Sequence, residues 1–126
     1  MHDVKITAGN ATAYKVPTDA PESDGTFAWR STTLVVVQIE AGGQTGLGYT
    51  YSHETAAPLA RDLIAHIVGC DALNSNALLA SMRKSQRNYG REGVAATALS
   101  AVDVALWDLK AKCMNLPLAK VLGQVR

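Results

Sequence analysis

Ala98-Leu99-Ser100-Ala101-Val102-Asp103-Val104-Ala105-Leu106-Trp107-Asp108-Leu109-Lys110-Ala111-Lys112 is the stretch on which the fold turns. At the angular step of a helix, Val94, Ala98, Ala101, Val102, Ala105, Leu106, Leu109 and Cys113 form one wide apolar stripe. The opposite side is apolar as well, with Ala96, Ser100, Val104, Trp107 and Ala111. Asp103, Asp108, Lys110 and Lys112 are the only charges over about five turns. A helix that is small and apolar nearly all round is buried on both sides. The pattern predicts a helix from about Gly93 to Met114, with its second face covered by something outside these residues.

Working outward, Pro117 opens a short fourth helix that ends at Gly123. Upstream, Ala56, Leu59, Ala60, Leu63, Ile64 and Ile67 share one face of a first helix that closes at Gly69. Ser75 or Asn76 caps a second, with Leu78, Leu79 and Met82 inward. Before Ser52 the period is two. Residues 3 to 16 read as a first strand ending at Pro17, irregular at Gly9. Thr18 to Gly25 has turn chemistry and reads as an exposed loop. The β-branched run within Ala28 to Ala41 is a second strand, Ala41-Gly42-Gly43 a tight turn, and Gln44 to Tyr51 a third strand. The expected fold class is α+β, a three-stranded antiparallel β-meander followed by a three- to four-helix bundle.

The 126 residues are 48% apolar and 18% charged, which suits one soluble domain. A chain of this size hides on the order of 68% of its unfolded surface. That allows one modest core and no deep enclosed pocket. Twelve Lys and Arg against eleven Asp and Glu leave a formal charge of +1, with no bulk field to draw nucleic acid or an anionic membrane. The longest apolar run, Leu34 to Val37, is far short of a bilayer span. No membrane or nucleic-acid partner is expected, and the location expected is cytoplasmic. Cys70 and Cys113 are read as small buried hydrophobes.

Local chemistry is sparse. Gly43, Gly46 and Gly48 do not make a phosphate loop, because Tyr51 takes the last glycine position and a strand follows instead of a helix. Asp103 and Asp108 diverge by about 140° on a helix, and Asp108 with Lys112 reads as an i,i+4 ion pair. His2, His53 and His66 have no metal-ligand spacing. Arg83, Lys84, Arg87 and Arg91 form the one basic cluster, read first as a solvated helix face. It keeps open a reading of the chain as a stand-alone, non-catalytic interaction module.

The quoted helix, with Leu116-Pro117-Leu118 and Val121-Leu122-Gly123 after it and Gly46-Leu47-Gly48 before it, resembles the mandelate racemase/muconate-lactonizing branch of the enolase superfamily. The likeness covers essentially the whole chain and matches that family's N-terminal capping domain. Tyr49 stands where the family often has Glu, and Gln124 replaces a second glycine. The resemblance implies a capping domain over residues 1–123. Residues 124–126 then begin the linker to a C-terminal TIM-like barrel, and the chain is a fragment of a longer polypeptide. It also implies that the chemistry lies in that barrel. There three carboxylates hold Mg2+, and Lys or His bases remove the proton α to a carboxylate. No catalytic residue, metal ligand or cofactor is then expected in this chain, which alone is expected to be inactive.

Two loops of such a domain close over the barrel mouth and touch the substrate. Here these are Thr18 to Phe27 and Tyr51 to Glu54. On that implication Phe27, Trp29, Tyr51 and His53 are the substrate-binding candidates, with Asp24 and Thr26 as polar ones. Simpler roles compete, Trp29 as cover for the sheet and His53 as a flank of the first helix. The implied substrate is a small carboxylate. The polar first loop favours a sugar acid and a dehydratase over a racemase, epimerase or cycloisomerase. The resemblance also implies a homo-oligomer.

Overall fold

Val35, Val37 and Ile39 alternate on one face of the middle strand and are fully buried, which fixes that face as the floor of the core. The computed structural model describes residues 2–125. Its elements are β1 (Ile6–Ser23), β2 (Ala28–Ala41), β3 (Gln44–Tyr51), α1 (Ala56–Ile67), α2 (Ser75–Ser85), α3 (Val94–Cys113) and α4 (Leu118–Leu122). The strands form one antiparallel sheet in the order β1-β2-β3. Gly42 and Gly43, at φ 58° and 74°, make the two-residue turn from β2 to β3.

α1 lies on β1, and α3 lies on β3 and β2. Leu63, Ile64 and Ile67 of α1, Met82 of α2 and Val102, Leu106 and Leu109 of α3 complete the core. α3 comes unusually close to β3. A Cβ at Gly46 would fall on the Ala105 carbonyl oxygen, and one at Gly48 on that of Ala101. The Gly-x-Gly pair is therefore the groove that seats the helix. Asp108 fastens the contact by accepting from the Leu47 N–H at 2.8 Å. Lys112 donates to Asp108 at 2.7 Å and to the Thr45 carbonyl at 2.8 Å. α3 ends with Asn115 at φ 53°, where Leu116 N–H donates to the Ala111 carbonyl and Asn115 N–H to that of Lys112, both at 3.0 Å.

Several expectations need correction. β1 does not stop at Pro17 but continues to Ser23, pairing Glu22 with Trp29 and Ser23 with Ala28 beyond a register shift. Thr18–Ser23 shows no alternation because most of it is exposed on both sides, and its far end is held by the pairing of Glu22 and Ser23 with β2 and by the bond from Trp29 Nε1 to the Glu22 carboxylate. Pro17 is tolerated because β1 is an edge strand. The irregularity near Gly9 lies between Ile6 and Ala8, and Gly9 itself lies against Ile64. Cys70 is exposed in the turn after α1 and Cys113 only half-buried at the end of α3. Less of α3's second side is open than its sequence suggests. Ala111 is buried, Ala96 and Trp107 are half-buried, and Lys110 lies over the Trp107 ring at 5.0 Å. Ser100 and Val104 remain exposed. No described helix is long and apolar enough to cross a membrane. Arg126, the end of the expected linker, lies outside the described residues.

Candidate functional site

β2 outlasts β3. Tyr51 at the end of β3 pairs with Leu34, so the edge of β2 from Thr33 back to Ala28 has no strand beside it. The chain after β3 turns across this notch. Ser52 N–H donates to the Thr33 carbonyl at 3.4 Å. Its hydroxyl donates to Thr97 Oγ1 at 2.8 Å, since the Thr97 proton is committed to the Val94 carbonyl. The helix that defines the fold thus also holds this loop.

The notch is a cavity of about 490 Å³ lined by Phe27, Trp29, Ser31, Thr32, Thr33, Tyr51, Ser52 and His53. Four of the six candidate side chains meet there. Phe27 stacks on Trp29 with ring centres 6.3 Å apart, and Trp29 Nε1 donates to Glu22 Oε2 at 2.8 Å, which fixes the indole. Tyr51 is exposed and meets Tyr49 edge-on at 6.2 Å. His53 Nδ1 accepts the Thr55 N–H at 3.2 Å and lies 3.0 Å from Thr55 Oγ1. The imidazole therefore both flanks the start of α1 and, when neutral, carries its proton on Nε2.

Asp24 and Thr26 are placed differently. Asp24 Oδ1 accepts from Thr26 Oγ1 at 2.7 Å and from the N–H groups of Thr26 and Phe27 at 3.0 Å each. The Thr26 hydroxyl, then those backbone donors, hold the Asp24 carboxyl below the usual carboxylate range. Both residues build the hairpin tip and stand outside the cavity lining. Reading the sequence missed Ser31, Thr32 and Thr33 as lining residues, although hydroxyl side chains at the start of an otherwise apolar strand were a usable signal. The Ser52–Thr97 bond, between residues 45 apart, had none.

A second cavity of about 400 Å³ lies between α2 and α3, with Arg83, Arg91 and Asp103 in its wall. Two of the four clustered basic residues thus line the same crevice as a carboxylate. Burial raises the Asp103 carboxyl above its ordinary range while Arg83 opposes the shift, and Asp103 Oδ1 is buried without a partner.

Aromatic walls with hydroxyl and imidazole donors suit the first cavity to gripping and orienting a small polar organic group. The residues do not fit a magnesium site. Among the described residues no three of His, Cys, Asp and Glu come together to hold a metal ion, and Asp108 is committed to Leu47 and Lys112.

A family model for the mandelate racemase/muconate lactonizing enzyme N-terminal domain matches residues 9–123. The chain is 39% identical over 117 residues to a 3,6-anhydro-α-L-galactonate cycloisomerase of Streptomyces coelicolor, covering 87% of this chain and 32% of that protein. It superposes with a TM-score of 0.89 and 47% identity on a mandelate racemase/muconate lactonizing enzyme-like protein from Rubrobacter xylanophilus, covering 93% of this chain and 33% of that one. With L-talarate dehydratase from a Polaromonas species, complexed with Mg and L-glucarate, the TM-score is 0.85 at 32% identity, covering 97% and 36%. The chain spans about a third of the length of each.

Proposed function

The chain belongs to the mandelate racemase/muconate lactonizing enzyme family as its N-terminal domain, and on that premise we propose that it is the substrate-covering lid of a magnesium-dependent enzyme acting on a small carboxylate. The observation that carries the reading is the convergence of two separate segments, Phe27 with Trp29 and Tyr51 with His53, on one open notch at the end of the sheet. A lid built this way excludes water and fixes the distal part of a substrate. Tyr51 and the Nε2 proton of His53 supply hydrogen bonds there, and the Phe27–Trp29 pair supplies a wall.

Magnesium and the bases that remove the α-proton belong, on this reading, to the rest of the polypeptide. We take the substrate to be a sugar acid and the reaction a dehydration. The hydroxyls of Ser31, Thr32, Thr33 and Ser52 around the notch favour a polyhydroxylated ligand, and talarate dehydratases stand among the similar structures. Racemisation and cycloisomerisation share the proton abstraction and would use the same lid.

The test is steady-state kinetics on the complete polypeptide with a panel of acid sugars. Tyr51→Phe and His53→Ala should each lower kcat/KM by up to about tenfold, the worth of one hydrogen bond, and alter the ranking of substrates. Unchanged kcat/KM and ranking in both variants would remove these residues from the site.

A further inference from the structure

The crevice between α2 and α3 shares no residue with the notch. Leu79 of α2 and Leu99 of α3 give it an apolar floor. Its polar groups come from three places: Arg83, one turn on from Leu79; Arg91, in the connection between the helices; and Ser100 with Asp103, three apart and so on one face of α3. The connection is tied across its base. Gln86, fully buried where α2 ends, donates from Nε2 to the Ala95 carbonyl at 3.0 Å, which closes the stretch carrying Arg91 into a short loop.

These polar groups are unspent. Among the described residues the one ion pair is Asp108–Lys112, so neither guanidinium is paired with Asp103, although the Arg83 charge acts on it. Asp103 Oδ1 is buried with no partner, and a buried acceptor without a donor is costly. A guanidinium only donates and an ionised carboxylate only accepts. The complementary ligand therefore carries an anionic acceptor for the arginines and a donor for Asp103. Two cations against one anion leave +1, which a single negative charge cancels and a zwitterion does not. A volume of about 400 Å³ is in the range of small-molecule sites.

We propose that this crevice is a second ligand site, which binds a hydroxylated monocarboxylic acid with its carboxylate on Arg83 and Arg91 and a hydroxyl donating to Asp103. Arginine grips a carboxylate through paired N–H groups and fixes its plane. The Leu79–Leu99 floor takes the carbon chain. An acid without hydroxyls leaves Asp103 unpaired, a neutral polyol leaves the arginines unpaired, and inorganic phosphate offers the leucines nothing. The site does not depend on the lid reading.

Isothermal titration calorimetry of the complete polypeptide with sodium gluconate, propionate, glucitol and inorganic phosphate tests the site. Gluconate should bind, and Arg83→Gln and Arg91→Gln should each weaken it by at least about tenfold, the loss of a charged hydrogen bond. Tyr51→Phe, in the notch, should leave that affinity unchanged. Asp103→Ala should abolish the preference for gluconate over propionate, which a purely electrostatic role for the carboxylate would not do. The absence of heat at millimolar gluconate would overturn the site. So would an affinity indifferent to both arginine variants, one that Tyr51→Phe weakens, or propionate, glucitol or phosphate binding the parent as tightly as gluconate. Failure of the kinetic test in the notch variants removes the lid reading and leaves this site standing, and failure of the arginine variants here does the reverse.

Discussion

Gly46 and Gly48 show how a single missing atom sets the geometry of the domain. Their absent Cβ atoms let the backbone of α3 rest on β3, which brings Thr97 of the same helix within reach of Ser52. Gly48→Ala drives a methyl into the Ala101 carbonyl and should cost about 3 kcal/mol in urea unfolding. Gly43→Ala, at a turn with open space around it, should cost about 1 kcal/mol, from its positive φ alone. Asp103 supplies a pH signature. Burial raises its carboxyl above the unfolded value of 3.8, so the folded chain holds a proton that the unfolded chain has released. The residue then favours the folded state below 3.8, and that contribution is lost as pH rises through the folded pKa. Asp103→Asn, neutral at every pH, should raise Tm near neutrality and leave it unchanged below pH 3.8. Thermal melts on both sides of that value check the sign.

At the scale of elements, α3 was the most legible part of the sequence because its stripe repeats over many turns. Leu106 is fully buried and Val104 is 43% exposed. Leu106→Ala should therefore cost about 3 kcal/mol and Val104→Ala under about 0.5 kcal/mol, both read from denaturant midpoints. Equal costs would mean that something already covers the second face of this chain. β1 was legible only where it touches α1. Its outer part, Thr18–Ser23, is mostly exposed on both faces and carries no period, so turn-forming residues there resembled a loop. Trp29 shows the same limit. Its alternation along β2 was readable, but the bond to Glu22 depends on a register shift that no spacing announces.

For the whole molecule, the residue pattern gave strands then helices, and the signature around Trp107 identified the family, but the site followed only through that family. Phe27, Trp29, Tyr51 and His53 lie up to 26 residues apart and gain meaning from the notch that β2 leaves beyond β3. Asp24, equally attractive as an isolated acid, is consumed by its own turn. On the proposed reading the chain is a lid, and the chemistry resides in another domain of the same polypeptide. The most direct measurement is magnesium-dependent exchange of the α-proton of acid sugars in deuterated water, followed by NMR, for the 126-residue chain beside the complete polypeptide. The account predicts exchange by the complete polypeptide and none by the chain alone. Exchange catalysed by the 126 residues themselves would contradict it.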